Sequence, residues 1–154
     1  PNGREITDRH YDYKLRFLYA LAHYSESRAQ SKLLLTGDFN IAPRDEDVWD
    51  IEAFRGKTHV TEPERAAFQM LEEAGLEEVT RRFTEEQRWT YFDYKSMRFQ
   101  KNEGMRIDFQ LASKSLAATV ESAQVDMVER AGDKTSDHCP LLADFNLPDF
   151  DSVR

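Results

Sequence analysis

Apolar residues recur at helical spacing near the amino end of the chain. Tyr11, Leu15, Leu18 and Ala22 fall on one face, which predicts a helix over residues 9 to 25. The next apolar segment, residues 32 to 39 (KLLLTGDF), is too short for a helix and ends in a Gly-Asp loop. It predicts a buried strand. Residues 63 to 76 form a second helical pattern, with Thr61 placed to cap it, Pro63 in its first turn and Gly75 at its end. Strands are predicted over 88 to 91, 106 to 111, 120 to 128 and 141 to 145, with a short helix over 114 to 118. Between the two long helices, Glu46, Asp47, Trp49 and Asp50 suit an acidic surface turn. Strands outnumber helices and both occur along the whole chain, with no repeat and no linker. An α/β (α+β) layered sandwich in a single unit over residues 1 to 154 is therefore expected.

Composition narrows the class. With 40% hydrophobic and 32% charged residues, the 154-residue chain is globular rather than disordered or fibrous. The longest apolar run falls far short of a membrane span, and the mean hydropathy is -0.73. The lone cysteine, Cys139, has no internal disulfide partner, and the first ten residues hold no apolar signal core. A cytoplasmic location is the expectation. Pro1-Asn2-Gly3 is turn chemistry with no methionine ahead of it, so residues are expected before it. A net charge of -8 argues against nucleic acid when taken alone. It weighs less where carboxylates gather to hold a cation and a local basic strip meets the phosphates.

Three short clusters could carry chemistry. Gly37-Asp38-Phe39-Asn40 ends the first strand, where glycine lets the backbone turn. Asp38 could bind a hard cation or take a proton from water, and Asn40 could donate to a phosphate oxygen. An Asx-capped turn is the plainer alternative. In Arg106-Ile107-Asp108-Phe109, alternation puts Ile107, Phe109 and Leu111 on one face and Arg106, Asp108 and Gln110 on the other. That polar face could simply meet solvent. In Ser136-Asp137-His138-Cys139-Pro140, His138 can hold or pass a proton beside a carboxylate. An incidental loop histidine is the alternative. Serine-nucleophile chemistry lacks its G-x-S-x-G elbow. Zinc lacks ligand spacing among Cys139, His10, His23, His59 and His138. Together the clusters offer carboxylates, an amide and an imidazole, a set suited to phosphoryl-oxygen chemistry.

The ordered stretches GDFNIAP, WTYFDYKS, GMRIDFQLAS and TSDHCPLLADF resemble the bacterial exodeoxyribonuclease III family. That family sits in the endonuclease/exonuclease/phosphatase superfamily with the apurinic endonucleases. The likeness runs from Pro1 to Phe145, and residues 89 to 113 favour the DNA repair branch. It implies a four-layered α/β sandwich, of which this chain would be the carboxyl-terminal half: one mixed β-sheet with flanking helices. The inner face of that sheet would be an apolar patch, covered by the amino-terminal half or by a partner chain.

The resemblance also implies roles. Asp38 would orient and deprotonate water or sit beside a metal. Asn40 would stabilise the phosphate, His138 would meet a non-bridging oxygen, Asp108 would orient His138, and Asp137 would ligate Mg2+. The implied catalytic set is Asp38, Asn40, Asp108 and His138. The implied metal set is Asp38, Asn40, Asp137 and His138, for Mg2+ with Mn2+ as the alternative. The basic residues Lys95, Arg98, Lys101 and Arg106, interleaved with Tyr91, Phe92, Tyr94 and Phe99, fit a DNA-contacting loop and a solvated hairpin with a hydrophobic anchor equally well by composition; the resemblance implies that Tyr91, Lys95, Arg98 and Arg106 contact DNA. Tyr91 stands where the family commonly has Trp, which keeps the aromatic surface. The implied activity is metal-dependent 3′-5′ exonuclease and abasic-site endonuclease action on duplexes with abasic sites or blocked 3′ ends, with no membrane partner. The alternatives are a catalytically incomplete fragment or binding module of the same fold, or a phosphatase of the superfamily. The amino-terminal half would supply a metal-binding Glu that this chain lacks.

Overall fold

The computed structural model describes residues 3 to 147; residues 1 and 2, and with them most of the Pro-Asn-Gly turn, lie outside it. In chain order the elements are α1 (Arg9–Glu26), β1 (Leu34–Asp38), α2 (Ile51–Phe54), α3 (Glu62–Glu73), β2 (Leu76–Glu78), β3 (Asp108–Ser113), α4 (Lys114–Ala117), β4 (Val120–Val125), α5 (Met127–Arg130) and β5 (Leu141–Phe145). The α/β expectation holds. The sheet detail does not: the strands form a three-stranded sheet, β1-β3-β2, and a two-stranded one, β4-β5. Every pairing is antiparallel, so there is no single mixed sheet among the described residues.

Both long helices start where their caps put them. The Asp8 side chain accepts from the His10 amide at the head of α1. Thr61 and Glu64 form a reciprocal capping box at the head of α3, with Pro63 in the first turn. Gly75, at φ +94°, ends α3 in a conformation that other residues resist. The buried face of α1 is Tyr11, Lys14, Leu18, Ala22 and Ser25. Lys14 is thus an interior residue on a face that otherwise reads as apolar.

The core that matters to the site lies between α1, α3 and the three-stranded sheet. Leu18, Ala22, Phe68, Leu71, Phe109 and Leu111 pack there together with Phe39 and Ile41. Phe39, Phe68 and Phe109 meet edge to face, with centroids 4.9 to 6.2 Å apart. Phe39 and Phe109 directly follow Asp38 and Asp108 in sequence. Each aromatic anchor therefore fixes a strand end whose carboxylate is displayed at the core's margin.

Several strand expectations are corrected. The 32-to-39 segment is not a buried strand: β1 is an edge strand with Leu34, Thr36 and Gly37 exposed. A groove of about 350 Å³ runs along it, lined by Phe17, Leu21, Leu34, Leu35, Gly37 and Phe39. Residues 88 to 91 form no strand; Tyr91 makes only isolated bridges to Met105 and His138. The third strand begins at Asp108, two residues late, and it is the centre of its sheet. Gln110, expected to face solvent, is buried and donates to the Leu141 carbonyl at 2.9 Å, tying the two sheets together. The fourth strand stops at Val125 because Asp126 caps α5. Strand β2 is three residues long, too short for alternation to signal it. Asp47 is interior rather than part of an acidic surface, held by both terminal nitrogens of Arg81 at 2.6 and 3.0 Å.

Phe109 makes two of the three aromatic contacts and is fully buried. Phe109→Ala is expected to cost about 3–5 kcal/mol of stability. Urea unfolding of the variant against the parent measures it, and a loss under about 1 kcal/mol would contradict this packing.

Candidate active site

The site is set by strand register. Asp38, the last residue of β1, pairs directly with Asp108, the first of β3. Residues opposite one another in an antiparallel pair present their side chains on the same face. Two carboxylates therefore meet at the strand ends, where like charges repel. Gly37, at φ +142°, carries the chain into this position in a conformation suited to glycine.

His138 resolves the repulsion. Its Nδ1 lies 2.8 Å from an Asp108 carboxylate oxygen, and since a carboxylate only accepts, Nδ1–H donates. Its Nε2 lies 3.9 Å from Asp38, an ion-pair distance rather than a hydrogen bond. The loop carrying His138 is stitched to the segment before β3. The Cys139 amide donates to the Thr90 carbonyl at 2.7 Å, and the Phe92 amide donates to the Asp137 carbonyl at 2.8 Å. Tyr91 lies edge-on to the His138 ring, 5.0 Å between centroids. The Thr90 hydroxyl accepts from the amides of Ile107 and Asp108, both at 3.1 Å, and so holds the turn into β3.

Asn40 completes the turn after β1. Its amide donates to Asp38 Oδ1 at 2.7 Å and its side-chain nitrogen to Asp38 Oδ2. It sits at φ +52°, the left-handed region that asparagine tolerates better than most residues.

The electrostatics follow from this crowding. Burial, and then Asp108 opposite, push the Asp38 carboxyl up from 3.8 to about 6. The hydrogen bond to Asp108 raises His138 above its ordinary value despite burial, which favours the imidazolium. Burial, with Asp93, Asp137 and Asp38 nearby, pushes the Tyr91 hydroxyl up to about 12, so it stays protonated. The arrangement can take a proton from water at Asp38 and present positive charge at His138.

The structure thus brings together Asp38, Asn40, Asp108 and His138. It treats the other expected site residues differently. Arg106 does not face DNA. Its side chain is wholly buried, with its terminal nitrogens on the hydroxyls of Thr84 and Thr80 and on the Arg88 carbonyl. A guanidinium enclosed this way has no path to a phosphate, which corrects the expected role. Arg98 pairs with Glu103 and stacks over Trp49 at 4.3 Å. Lys95 is exposed. Tyr91, Lys95 and Arg98 line a cleft of about 490 Å³ together with Trp49, Phe54 and His59. A larger groove of about 780 Å³, lined by residues of α3 and of 76 to 85, contains none of the four clustered side chains.

A divalent cation needs a set of converging oxygen donors. Asp38 and Asn40 offer hard oxygens on one turn. The described residues nevertheless hold no group of three His, Cys, Asp or Glu side chains placed to enclose an ion. His138 has already committed Nδ1 to Asp108. The expected set Asp38, Asn40, Asp137 and His138 does not form a cage here, so no chemical step is assigned to a cation.

Three residues at the site escaped sequence reading. Thr90 lies inside the WTYFDYKS stretch, but nothing marks its hydroxyl as a backbone acceptor. His59 is one of four scattered histidines, and its Nδ1 lies 2.8 Å from the Asn40 carbonyl, so that nitrogen carries the proton. Burial lowers its basicity and favours this neutral ring. Lys14 did leave a signal, as a cation in register with Tyr11 and Leu18.

Ionising Asp38 in the folded chain costs stability. The cost is absent below about pH 4, grows as pH rises towards about 6, and is complete above that. Asp38→Asn removes it. In EDTA, the stability of the variant relative to the parent is expected to improve by about 1–2 kcal/mol between about pH 4 and pH 8, a range discounted for the carboxylate's partial exposure. Thermal unfolding across that range checks this, and a pH-independent difference would contradict the assigned strain.

Comparison with known proteins gives a consistent set. The model of the "Endonuclease/Exonuclease/phosphatase family" matches residues 7–138. Exodeoxyribonuclease III of Haemophilus influenzae is 34% identical over 142 residues, covering 86% of this chain and 53% of that protein. The solved 3′-5′ exonuclease NExo of Neisseria meningitidis superposes with a TM-score of 0.88 at 37% identity, over 95% of this chain and 58% of that one. An AP endonuclease from Archaeoglobus fulgidus superposes with a TM-score of 0.84 at 32% identity, over 94% and 58%. The chain thus spans about half the length of the relatives it matches.

Proposed function

The chain belongs to the endonuclease/exonuclease/phosphatase family, and we propose that it is the part of an exodeoxyribonuclease III-type DNA repair phosphodiesterase that carries the general base and the phosphate-facing histidine. The observation that carries this reading is the Asp38–His138–Asp108 arrangement, with Asn40 bonded to Asp38. The names of its relatives support a DNA substrate: a 3′-5′ exonuclease, an AP endonuclease and a Neisseria 3′ phosphatase bound to product DNA hairpin.

In this reading Asp38 accepts the proton of the attacking water, for which a carboxyl raised to about 6 is well matched near neutral pH. Asn40 fixes the carboxylate's orientation through two hydrogen bonds. His138 turns Nε2 towards the phosphoryl group and stabilises the charge that develops there. Asp108 holds the histidine ring in place and favours its charged form. The cleft beside Tyr91 and Lys95 receives the sugar-phosphate chain. The exposed groove along β1 is covered by the complementary amino-terminal half or by a partner chain. The family is generally dependent on divalent metal, and ligands additional to those described here complete that requirement. Among the described residues no helix is long and apolar enough to cross a membrane.

The test is incision of labelled duplexes carrying one abasic-site analogue or one 3′-phosphate, in Mg2+, Mn2+ or EDTA. The proteins are this chain and a form extended by the complementary segment of the Haemophilus relative. The extended form is expected to cut in the presence of metal, and this chain alone is expected to be far slower. In the active form, His138→Ala is expected to lower kcat by about 100-fold or more. Full activity after His138→Ala, or no cleavage of either duplex by the extended form, would sink the reading.

A further inference from the structure

The mechanism leaves the buried Lys14–Glu64 ion pair unused. Lys14 and Glu64 are both fully enclosed and hydrogen-bonded to each other. Lys14 also donates to the main-chain oxygen of Asn40 at 2.8 Å. His59 donates to the same oxygen, likewise at 2.8 Å. Glu64 is saturated from its other sides. It accepts from the Thr58 hydroxyl at 2.9 Å and the His59 amide at 3.0 Å. It also accepts from the Thr61 amide at 3.1 Å and the Thr61 hydroxyl at 2.7 Å. The Tyr11 hydroxyl closes the network on Thr61 at 2.6 Å.

Such a pair is a poor way to fill a core. Two charges lose their hydration, and apolar residues of equal volume often serve stability as well or better. Capping α3 does not require it either, since Thr61 and Glu64 form that box without a lysine. What Lys14 adds is a grip on one carbonyl. That carbonyl belongs to Asn40, which sits in the left-handed region that asparagine tolerates, so its position is set by the bonds it makes. The same residue reaches Asp38 through its amide and its side chain.

We propose that the Lys14–Glu64 pair is a positioning device: it locks the Asn40 main chain so that Asn40 and the Asp38 carboxylate keep the mutual orientation that the reaction uses. The proposal rests on the phosphodiesterase reading for its catalytic consequence. Neither Lys14 nor Glu64 touches substrate; both act through Asn40. A displacement of about 1 Å at a reacting group can lower a rate by about 100-fold, so a small slackening of this turn is enough.

The test is the double variant Lys14→Met with Glu64→Gln, which leaves no buried charge unpaired. Four quantities are read: the melting temperature, kcat and KM in whichever form of the protein cuts DNA, and amide hydrogen exchange in this chain by NMR. Because a Gln side chain accepts through one atom only and leaves either the His59 or the Thr61 amide unpaired, the expected result is a melting temperature lowered by about 5–10 degrees, with KM within about 2-fold and kcat lowered about 10- to 100-fold. Exchange at the Asn40 amide is expected to quicken about 10-fold or more, while Phe109 and Leu111 keep their protection. A folded double variant with unchanged kcat and unchanged exchange at Asn40 overturns the proposal. If the parent cuts no DNA in any form, the phosphodiesterase reading fails, while the exchange measurement still decides whether the pair holds the turn. Should the double variant not fold, Glu64→Asp retracts the carboxylate by one methylene. Faster exchange at Asn40 is again expected, and no change there overturns the proposal.

Discussion

The rest of the structure depends on one unfavourable contact. The β1–β3 register sets Asp38 directly against Asp108, both partly withdrawn from water. Left alone, the pair would push one carboxylate towards protonation and strain the strand ends. His138 bonds to one and faces the other, so the repulsion becomes an asymmetric triad: one carboxylate committed to the ring and one carboxyl raised by burial and by its neighbour. Register is hard to change because Phe39, directly after β1, and Phe109, the second residue of β3, are fixed in a common aromatic core.

Around this contact the molecule spends polar groups on orientation. The Thr90 hydroxyl pins the amides that lead into β3, and the Cys139 amide on the Thr90 carbonyl carries the His138 loop to the same place. Beneath the Asp38–Asn40 turn, Lys14 and His59 converge on one carbonyl from α1 and from the loop before α3. Each of these contacts joins segments distant in sequence, so the turn is braced from two sides. The interior Arg106, stacked near Phe109 and bonded to Thr80 and Thr84, is another polar group used inside the fold.

Local rules carried the reading of the sequence a long way. Caps and periodicity placed α1 and α3 within two or three residues, because helix ends are governed by groups three or four residues apart. The last strand, Leu141–Phe145, was read to the residue. The clusters at Asp38, Asn40, Asp108 and His138 were legible because each joins functional side chains to a strand end or a loop, and their order matches a known family. Alternation misled at Gln110, which points away from Phe109 but is covered by the β4-β5 sheet. It also misled at Arg106, whose position outside β3 depends on contacts more than fifteen residues away. The span before β3 read as a strand from its composition, yet it makes only isolated bridges.

Patterns between near neighbours along the chain were enough for the family, the two long helices and a candidate set of four polar side chains, whereas the short helices α2 and α5 left no such pattern. Only the tertiary structure decided that Asp38 opposes Asp108, that His138 stands between them, that Arg106 is enclosed and that Lys14 grips Asn40. Those facts rest on strand register and on which buried group meets which. Both are set by packing between segments twenty to a hundred residues apart, where no local pattern carries the information.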